Sequence, residues 1–258
     1  MTVRLTGRVS LPAMPEWANL SYEDVGELAR AGVVAVLPVG ATEQHGPHLC
    51  TGTDSVLAAA VVTAAVAETG DLALPVLAYG CSLGHTDKWP GTLSLSAPTL
   101  TAMVIDIGRW LHASGFRKLV MVNSHATNGP PCQSALLELR HHRPELRMRF
   151  VSLFDLTPQA AEGYTADADD PHANEAETSM LLHLNPELVH MDRVVDEEDR
   201  TLGRVLQYAM PQVTGSGVVG RPSESSASRG ERLLTTLVDG LVDLLRRARA
   251  EQDPLPDA

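Results

Sequence analysis

The sequence predicts a three-layer α/β fold, in which a largely parallel sheet lies between helices on both faces. Short apolar runs alternate along the chain with longer segments of helical periodicity, as in strand-helix-strand crossover units. With 258 residues, 44 % of them hydrophobic and 20 % charged, the chain is large enough to bury its own core without disulfide bonds. We expect a single domain over 1–258, with flexible ends at 1–15 and 252–258.

The first half of the chain is predicted to contain two strands and three helices. Ser21 and Asp24 form a variant of the capping box at the first helix, and Gly32 ends it. Ser96 and Pro98 mark the start of the third helix. The elements are, in order, a helix at 21–31, a strand at 33–39, a helix at 55–68, a strand at 72–79 and a helix at 96–114.

The second half continues the alternation, with one long polar loop at 157–171. The apolar spacing after Glu175 is helical, and acidic residues occupy the first turn, where the helix dipole favours them. A glycine- and serine-rich region at 215–228 is expected to be flexible. The predicted elements are strands at 118–122, 148–156 and 188–194, and helices at 132–142, from 175 onward and at 230–251.

Composition narrows the function classes. The chain carries 32 acidic and 20 basic side chains, a net charge of -12, which opposes binding to nucleic acids or anionic membranes and favours cations. Its three cysteines lack paired spacing, which argues against a disulfide framework. With neither a signal-peptide pattern nor an apolar run of membrane-spanning length, we expect a cytoplasmic protein.

The densest cluster of potential ligands follows the strand at 33–39. Residues 40–54 read GATEQHGPHLCTGTD, which places two carboxylates and two imidazoles within twelve residues. Glu43 and His45 are two residues apart, so an extended backbone would put both side chains on one face, and Asp54 returns at the next helix start. This set suits a pair of divalent cations. The alternative is a solvated turn with Asp54 as a helix cap, and His48 fits either a turn or a supporting role.

Further candidates follow other strands or open a helix. The glycine-rich loop 80–92 carries His85 and Trp89, His125 directly follows the strand at 118–122, and His172 and Glu177 lie at a helix start. In a parallel sheet these strand ends share one edge, so the segments can converge. Each also has a structural alternative: interface packing for the loop, a hydrogen-bonded loop residue for His125, and helix capping for the last pair.

Four segments together resemble the creatininase family of metal-dependent amidohydrolases, in the right order over positions 20 to 240. The most specific is PVGATEQHGPH at 38–48 with Asp54, an E-Q-H-G-P-H-x(5)-D element. The others are the P-G-T turn at 90–92, N-S-H at 123–125 and the segment at 172–179.

The resemblance implies two divalent metal ions per subunit, zinc, manganese or iron, and a homohexamer. One ion would be held by Glu43 and His125, the other by His45 and Glu177, with Asp54 bridging them. His172 would be the proton-transfer residue. Glu175, two residues before Glu177, would orient a ligand.

The sequence departs from the family pattern at the third histidine. Relatives commonly read N-G-H-G-G-N there, whereas this chain has Ser124 and Ala126 around the histidine, followed by Thr127. These side chains should narrow the substrate pocket or supply a hydroxyl. We expect Thr127, His85 and Trp89 to bind the substrate, and we expect a substrate other than creatinine.

From these residues we predict a hydrolase that cleaves a carbon–nitrogen bond, in an amide or cyclic amide, of a small polar molecule. Water activated by two metal ions would attack the carbonyl. The first alternative is a peptidase that trims a small peptide precursor, as in mycofactocin maturation. The second is a catalytically silent binding or assembly protein that has kept the fold.

Overall fold

The computed structural model describes residues 16–85 and 87–254, and within these ranges four strands form one parallel sheet. The sheet order is β2-β1-β3-β4. The strands are β1 (Ala35–Val39), β2 (Leu72–Ala73), β3 (Lys118–Asn123) and β4 (Arg147–Ser152). The ends expected to be flexible are 1–15 and 252–258. Of these, residues 1–15 and 255–258 lie outside the described residues.

Helices cover both faces of the sheet, which confirms the predicted fold class. In the described part of the chain they are α1 (Tyr22–Arg30), α2 (Thr53–Thr69), α3 (Ala97–Ala113), α4 (Gly129–His142), α5 (Pro158–Tyr164), α6 (Glu175–Leu184), α7 (Met210–Val213) and α8 (Ala227–Ala250). None of these helices combines the length and apolar character that a membrane span requires.

The two faces of the sheet have separate cores because successive strand residues point to opposite sides. On one face, Val36 and Val120 pack with α2, α5, α6 and α8. On the other, Leu37 and Met121 pack with α1, α3 and α4. All five residues of β1 are buried, as expected for a central parallel strand covered on both faces.

Three predicted strands differ from the structure. The strand predicted at 148–156 ends at Ser152, and a 3-10 turn occupies Leu153–Asp155. The strand predicted at 72–79 pairs regularly only over Leu72–Ala73, because Pro75 has no N–H to donate, and one further bridge joins Leu77 to Val39. The segment 188–194 is not a strand. Two short 3-10 turns occupy Pro186–Leu188 and Met191–Arg193, and a single bridge joins Val189 to Leu49.

The loop predicted at 157–171 contains an additional helix, α5. Thr157 caps it by accepting a hydrogen bond from the backbone N–H of Ala160, and Pro158 occupies its first turn. These are ordinary signals for the start of a helix. The sequence nevertheless predicts a loop here, because the helix has only seven residues and the acidic residues that follow are typical of loops.

The register of β1 and β3 determines where the candidate ligands emerge. Val39, the last residue of β1, lies opposite Asn123, the last residue of β3. Both strands therefore end at the same level, and the loop that carries Glu43 starts beside the residues that lead to His125.

A close approach between α6 and α8 provides a test of this packing. Gly230 is buried in α8, and a Cβ built on it would overlap the carbonyl oxygen of Ser179 in α6. We expect Gly230→Ala to lower the free energy of unfolding by about 1–3 kcal/mol, the usual cost of overpacking. Urea denaturation followed by circular dichroism measures this change.

Gly26→Ala in α1 is the matched control, because its Cβ would meet only the Arg30 guanidinium at 3.4 Å. There the gain in helix propensity should raise stability by up to about 1 kcal/mol. Equal effects of the two substitutions would contradict the close α6–α8 contact.

Candidate metal centre

The loop between β1 and α2 folds back so that Asp54 returns to Glu43 and His45. Gly46 takes a positive φ of 62°, and the backbone N–H of Glu43 donates to the carbonyl of Thr51 at 2.9 Å. Asp54 lies in the first turn of α2, and its Oδ1 is 3.4 Å from Nε2 of His45. All three side chains are buried.

His125 follows β3 and presents Nδ1 to the same carboxylates. Nδ1 lies 3.2 Å from Oε1 of Glu43 and 3.6 Å from Oδ2 of Asp54. The opposite ring nitrogen, Nε2, is 3.1 Å from the carbonyl oxygen of Cys81 and 2.6 Å from the hydroxyl of Thr127. Because a carbonyl can only accept, Nε2 carries the proton and Nδ1 is free to bind a cation.

Glu177 enters the cluster from the first turn of α6. Asn174 caps this helix by accepting a hydrogen bond from the Glu177 N–H at 3.2 Å. Ala173 has a positive φ of 50°, which is uncommon for a residue with a side chain, and its N–H donates to Oε2 of Glu177 at 2.8 Å. The local backbone thus fixes this carboxylate at the helix start.

These side chains form overlapping sets in which the ligand atoms lie within 4.8 Å of one another. One set contains Glu43, Asp54 and His125, a second contains His45, Asp54 and Glu177, and a third contains Glu43, His45 and His172. Asp54 belongs to the first two. The structure therefore brings together the five residues expected as ligands, in the two groups expected from the sequence; their binding of metal stays a prediction.

The cluster also contains buried polar atoms without hydrogen bonds in the described part of the chain, which a pair of cations could bind. Both carboxylate oxygens of Glu43, Nε2 of His45 and Oδ2 of Asp54 are buried and make no hydrogen bond with the described residues. Buried polar atoms that make no hydrogen bond are costly, and a cation would satisfy them. A mixed set of carboxylate oxygens and imidazole nitrogens suits divalent zinc or manganese.

The charges of the cluster shift its pKa values strongly. Burial favours the neutral form of the His45 and His125 rings. The carboxylates of Asp54, Glu177 and Glu43 nevertheless raise the pKa of His45 to about 10. Glu43 and Asp54 likewise raise the pKa of His125 to about 9. Burial, with a contribution from Asp54 and Glu43, raises the pKa of Glu177 to about 7. Near pH 7, protons therefore occupy this cluster when cations do not.

His172 lies against the cluster from the side of Glu43. Its Nδ1 is 3.7 Å from Oε1 of Glu43, and its ring centroid is 4.5 Å from that of His45. Its Nε2 faces Gln44, at 2.9 Å from the backbone oxygen and 3.1 Å from the side-chain nitrogen. Burial, and then the neighbouring His45 and His85, hold the pKa of this imidazole well below its usual range.

The three residues expected to bind substrate lie in different surroundings. His85 is buried within the cluster, with Nδ1 at 3.7 Å from Oε1 of Glu43. Trp89 is half-buried, and the Lys88 ammonium lies 4.6 Å from the centroid of its ring. The hydroxyl of Thr127 donates to the carbonyl of Cys81 and accepts from His125, so it contacts the back of a candidate ligand.

Among the described residues, the Glu175 carboxylate contacts no candidate ligand, so the geometry gives no support to its expected role in orienting one. Its carboxylate accepts a hydrogen bond from Ser179 at 2.7 Å and pairs with Arg229 of α8 at 2.6 Å, and neither partner is a candidate ligand. Residues two apart in a helix point in very different directions, so Glu175 faces α8 while Glu177 faces the cluster.

Sequence reasoning missed Gln44 and left His48 open. Gln44 is buried between two candidate ligands, and its amide nitrogen contacts both His172 and His85. His48 shares a 3.0 Å hydrogen bond with Thr178, the residue after Glu177, and so joins the first loop to α6. The position of Gln44 between Glu43 and His45 is the one feature of the sequence that could have indicated its place in the site.

Comparison with known proteins gives one consistent result. The family model described as creatinine amidohydrolase (Creatininase) matches residues 18–245. Creatinine amidohydrolase of Pseudomonas putida is 34% identical over 247 residues, 88% of this chain and 95% of that protein. The mycofactocin precursor peptide peptidase of Mycolicibacterium smegmatis is 31% identical over 233 residues, 86% of this chain and 88% of that protein.

Solved structures agree with these relatives. A crystal structure of creatinine amidohydrolase (creatininase) matches with a TM-score of 0.83 and 30% identity, over 93% of this chain and 100% of that one. Two further matches are described as "Creatininase Mn" and as a mutant creatininase of Zn-Zn type. Each has a TM-score of 0.82 and 31% identity and covers 92% of this chain, with 100% and 98% of the other chain.

The pKa shifts predict that metal binding releases protons. At pH 7 the rings of His45 and His125 in the metal-free protein should each hold a second proton, because their pKa values of about 10 and 9 lie above that pH. Cations displace these protons, so zinc uptake should release at least about two protons per subunit, and metal affinity should rise with pH up to those values. Calorimetric zinc titration in two buffers of different ionisation enthalpy counts the protons. Zinc binding without proton release would contradict this account.

Proposed function

The chain belongs to the creatininase family of hydrolases, and we propose that it cleaves a carbon–nitrogen bond, in an amide or cyclic amide, of a small polar molecule. The observation that carries this proposal is the shared Asp54, whose carboxylate lies in two ligand sets at once. A pair of cations side by side is the arrangement used by many metal-dependent hydrolases.

In this proposal Glu43 and His125 hold one divalent cation, zinc, manganese or iron, and His45 and Glu177 hold the second. Asp54 serves both. When bound, the cations supply Lewis-acid polarisation of the substrate carbonyl and a water activated for attack. Support comes from the buried ligand atoms that make no hydrogen bond, and from the zinc and manganese structures of relatives.

The protein also orients the ligands. The Cys81 carbonyl and the Thr127 hydroxyl hold Nε2 of His125, which directs Nδ1 at Glu43 and Asp54. Such hydrogen bonds fix the tautomer and the ring plane of a metal-binding histidine. Thr127 therefore acts on the metal site through His125, and its expected contact with the substrate stays a proposal.

His172 is proposed to protonate the departing nitrogen. Its Nδ1 faces the cluster beside Glu43, and the opposite nitrogen is held by Gln44. Because Nε2 donates to the Gln44 carbonyl, Nδ1 is unprotonated in the neutral ring, so it would accept a proton from the attacking water and pass that proton to the departing nitrogen. His85, with its ring centroid 4.4 Å from that of His172, is proposed to contact the same part of the substrate.

A small substrate is favoured over a peptide by the burial of the centre. The five candidate ligands are each at most 9% exposed, which leaves little open surface for a chain that would lie across them. The similarity to the mycobacterial peptidase keeps peptide trimming as the second candidate. A homohexamer is likewise proposed from the family, and light scattering of the purified protein tests it.

The substrate class can be tested directly. The zinc- or manganese-loaded protein is incubated with small linear and cyclic amides and, in parallel, with short peptides, and the products are identified by mass spectrometry. Turnover of an amide outside the peptide series supports the proposal. Release of a terminal fragment from peptides alone would favour the peptidase, and no turnover with both metals bound would favour a binding protein.

His172→Ala tests the proton-transfer role. We expect the hydrolysis rate to fall roughly 100- to 10,000-fold, the usual contribution of a positioned acid or base, with metal content unchanged. His183→Ala, on the exposed side of α6, is the matched control and should keep the wild-type rate. Full activity of His172→Ala with both metals present would refute the assignment.

A further inference from the structure

Residues 214–220, named here the strap, pass along the side of the centre that carries His172. Val219 exchanges two backbone hydrogen bonds with His172, at 3.1 and 2.8 Å. Val218 lies so close to Gly46 that a Cβ on that glycine would overlap its side chain. The carbonyl oxygen of Gly217 lies 3.4 Å from Nε2 of Gln44. The strap therefore contacts both the first loop and His172.

The Gln44 side chain is held in one orientation between the strap and the two histidines. Its Oε1 accepts a hydrogen bond from the backbone N–H of Gly46 at 2.9 Å, so its NH2 group must point the other way. That group lies 3.1 Å from Nε2 of His172 and 3.3 Å from Nδ1 of His85. One amide thus contacts both rings, and the backbone oxygen of Gln44, 2.9 Å from Nε2 of His172, accepts the hydrogen bond from that ring.

Gly217 packs directly on this amide. It has a positive φ of 83°, and a Cβ built on it would overlap Oε1 of Gln44. The strap can approach so closely only because it has no side chain at this point. The backbone of the strap therefore lies directly against the Gln44 amide.

The carboxylate of Glu197 fastens the strap. It accepts hydrogen bonds from the Thr214 hydroxyl, from the backbone N–H groups of Gly215 and Ser216, and from the Ser216 hydroxyl, at 2.6 to 2.8 Å. The backbone of Glu197 also pairs with Gly220 in both directions. Partial burial opposes its charge, yet these donors, Ser216 foremost, lower the pKa of Glu197 to about 2. The carboxylate thus stays charged throughout the neutral range.

We propose that Glu197 is a positioning residue for the proton-transfer step: it holds the strap against Gln44, and Gln44 fixes the rings of His172 and His85. The inference rests on the proposed role of His172 and deepens it. Glu197 itself belongs to neither proposed ligand set. Its effect on the reaction is transmitted through the strap.

Glu197→Gln is the test, because it keeps the shape of the side chain and replaces one accepting oxygen by a donor. Glu198→Gln, the exposed neighbour, is the matched control. The zinc-loaded proteins are prepared with isotope-labelled histidine, and the ring signals are assigned with the His172→Ala and His85→Ala variants. Hydrogen exchange of the strap amides is measured on the same proteins.

In Glu197→Gln we expect the strap amides to exchange at least about tenfold faster, because charge-assisted hydrogen bonds are lost. The ring signals of His172 and His85 should shift or broaden, while those of the exposed His141 and His183 stay in place. Zinc content should be unchanged, since the proposed ligands lie outside the strap. Glu198→Gln should match the wild type in every readout.

Faster strap exchange with unmoved His172 and His85 signals would overturn the proposal, as would unchanged strap exchange or loss of zinc. If Glu197→Gln does not fold, Ser216→Ala removes one donor from the same carboxylate and should produce smaller changes of the same kind. None of these readouts requires turnover. A failure to hydrolyse amides would therefore count against the proposed function and leave this test intact.

Discussion

Three buried carboxylates that share one small volume are the constraint on which the site depends. Glu43, Asp54 and Glu177 lie among histidines in a region from which water is largely excluded. Like charges at this distance repel one another, and desolvation makes each of them more costly. Protons or cations must neutralise the cluster. The raised pKa values of His45 and His125 reflect neutralisation by protons, and the proposed divalent cations would neutralise the cluster instead.

The fold meets this constraint by bringing rigid elements to one point. The paired ends of β1 and β3 place Glu43 and His125 side by side, and the first turns of α2 and α6 supply Asp54 and Glu177. Each side chain is then fixed by local hydrogen bonds, such as those from Nε2 of His125 to the Cys81 carbonyl and from the Ala173 N–H to Glu177. Ligands held on helix starts and strand ends keep the geometry that metal chemistry requires.

The sequence predicts much of this arrangement because its signals are local. Glu43 and His45 follow a buried strand two residues apart, His125 follows another, and parallel strands bring such positions to one edge. Glu175 shows the limit of this reasoning. Because Glu175 is only two residues from Glu177, the sequence suggests that the two side chains act together. In the helix, however, Glu175 points toward Arg229. The short helix α5 is likewise hidden in a polar segment.

The strap could not be predicted because its contacts join distant residues. Gly215 and Ser216 are typical of a flexible region, yet their N–H groups bond to a carboxylate about twenty residues away, a partner that no local pattern indicates. Gln44 is a similar case: its place beside Glu43 and His45 is visible, but its contacts with His172 and His85 arise only when the later segments fold onto it.

Anomalous X-ray scattering from crystals of the zinc- or manganese-loaded protein tests the central claim most directly. The account predicts two metal peaks on either side of the Asp54 carboxylate. One should lie about 2.1 Å from Nδ1 of His125 and the other about 2.1 Å from Nε2 of His45, as expected for metal–imidazole bonds. A single peak, or two peaks that do not share Asp54, would contradict it.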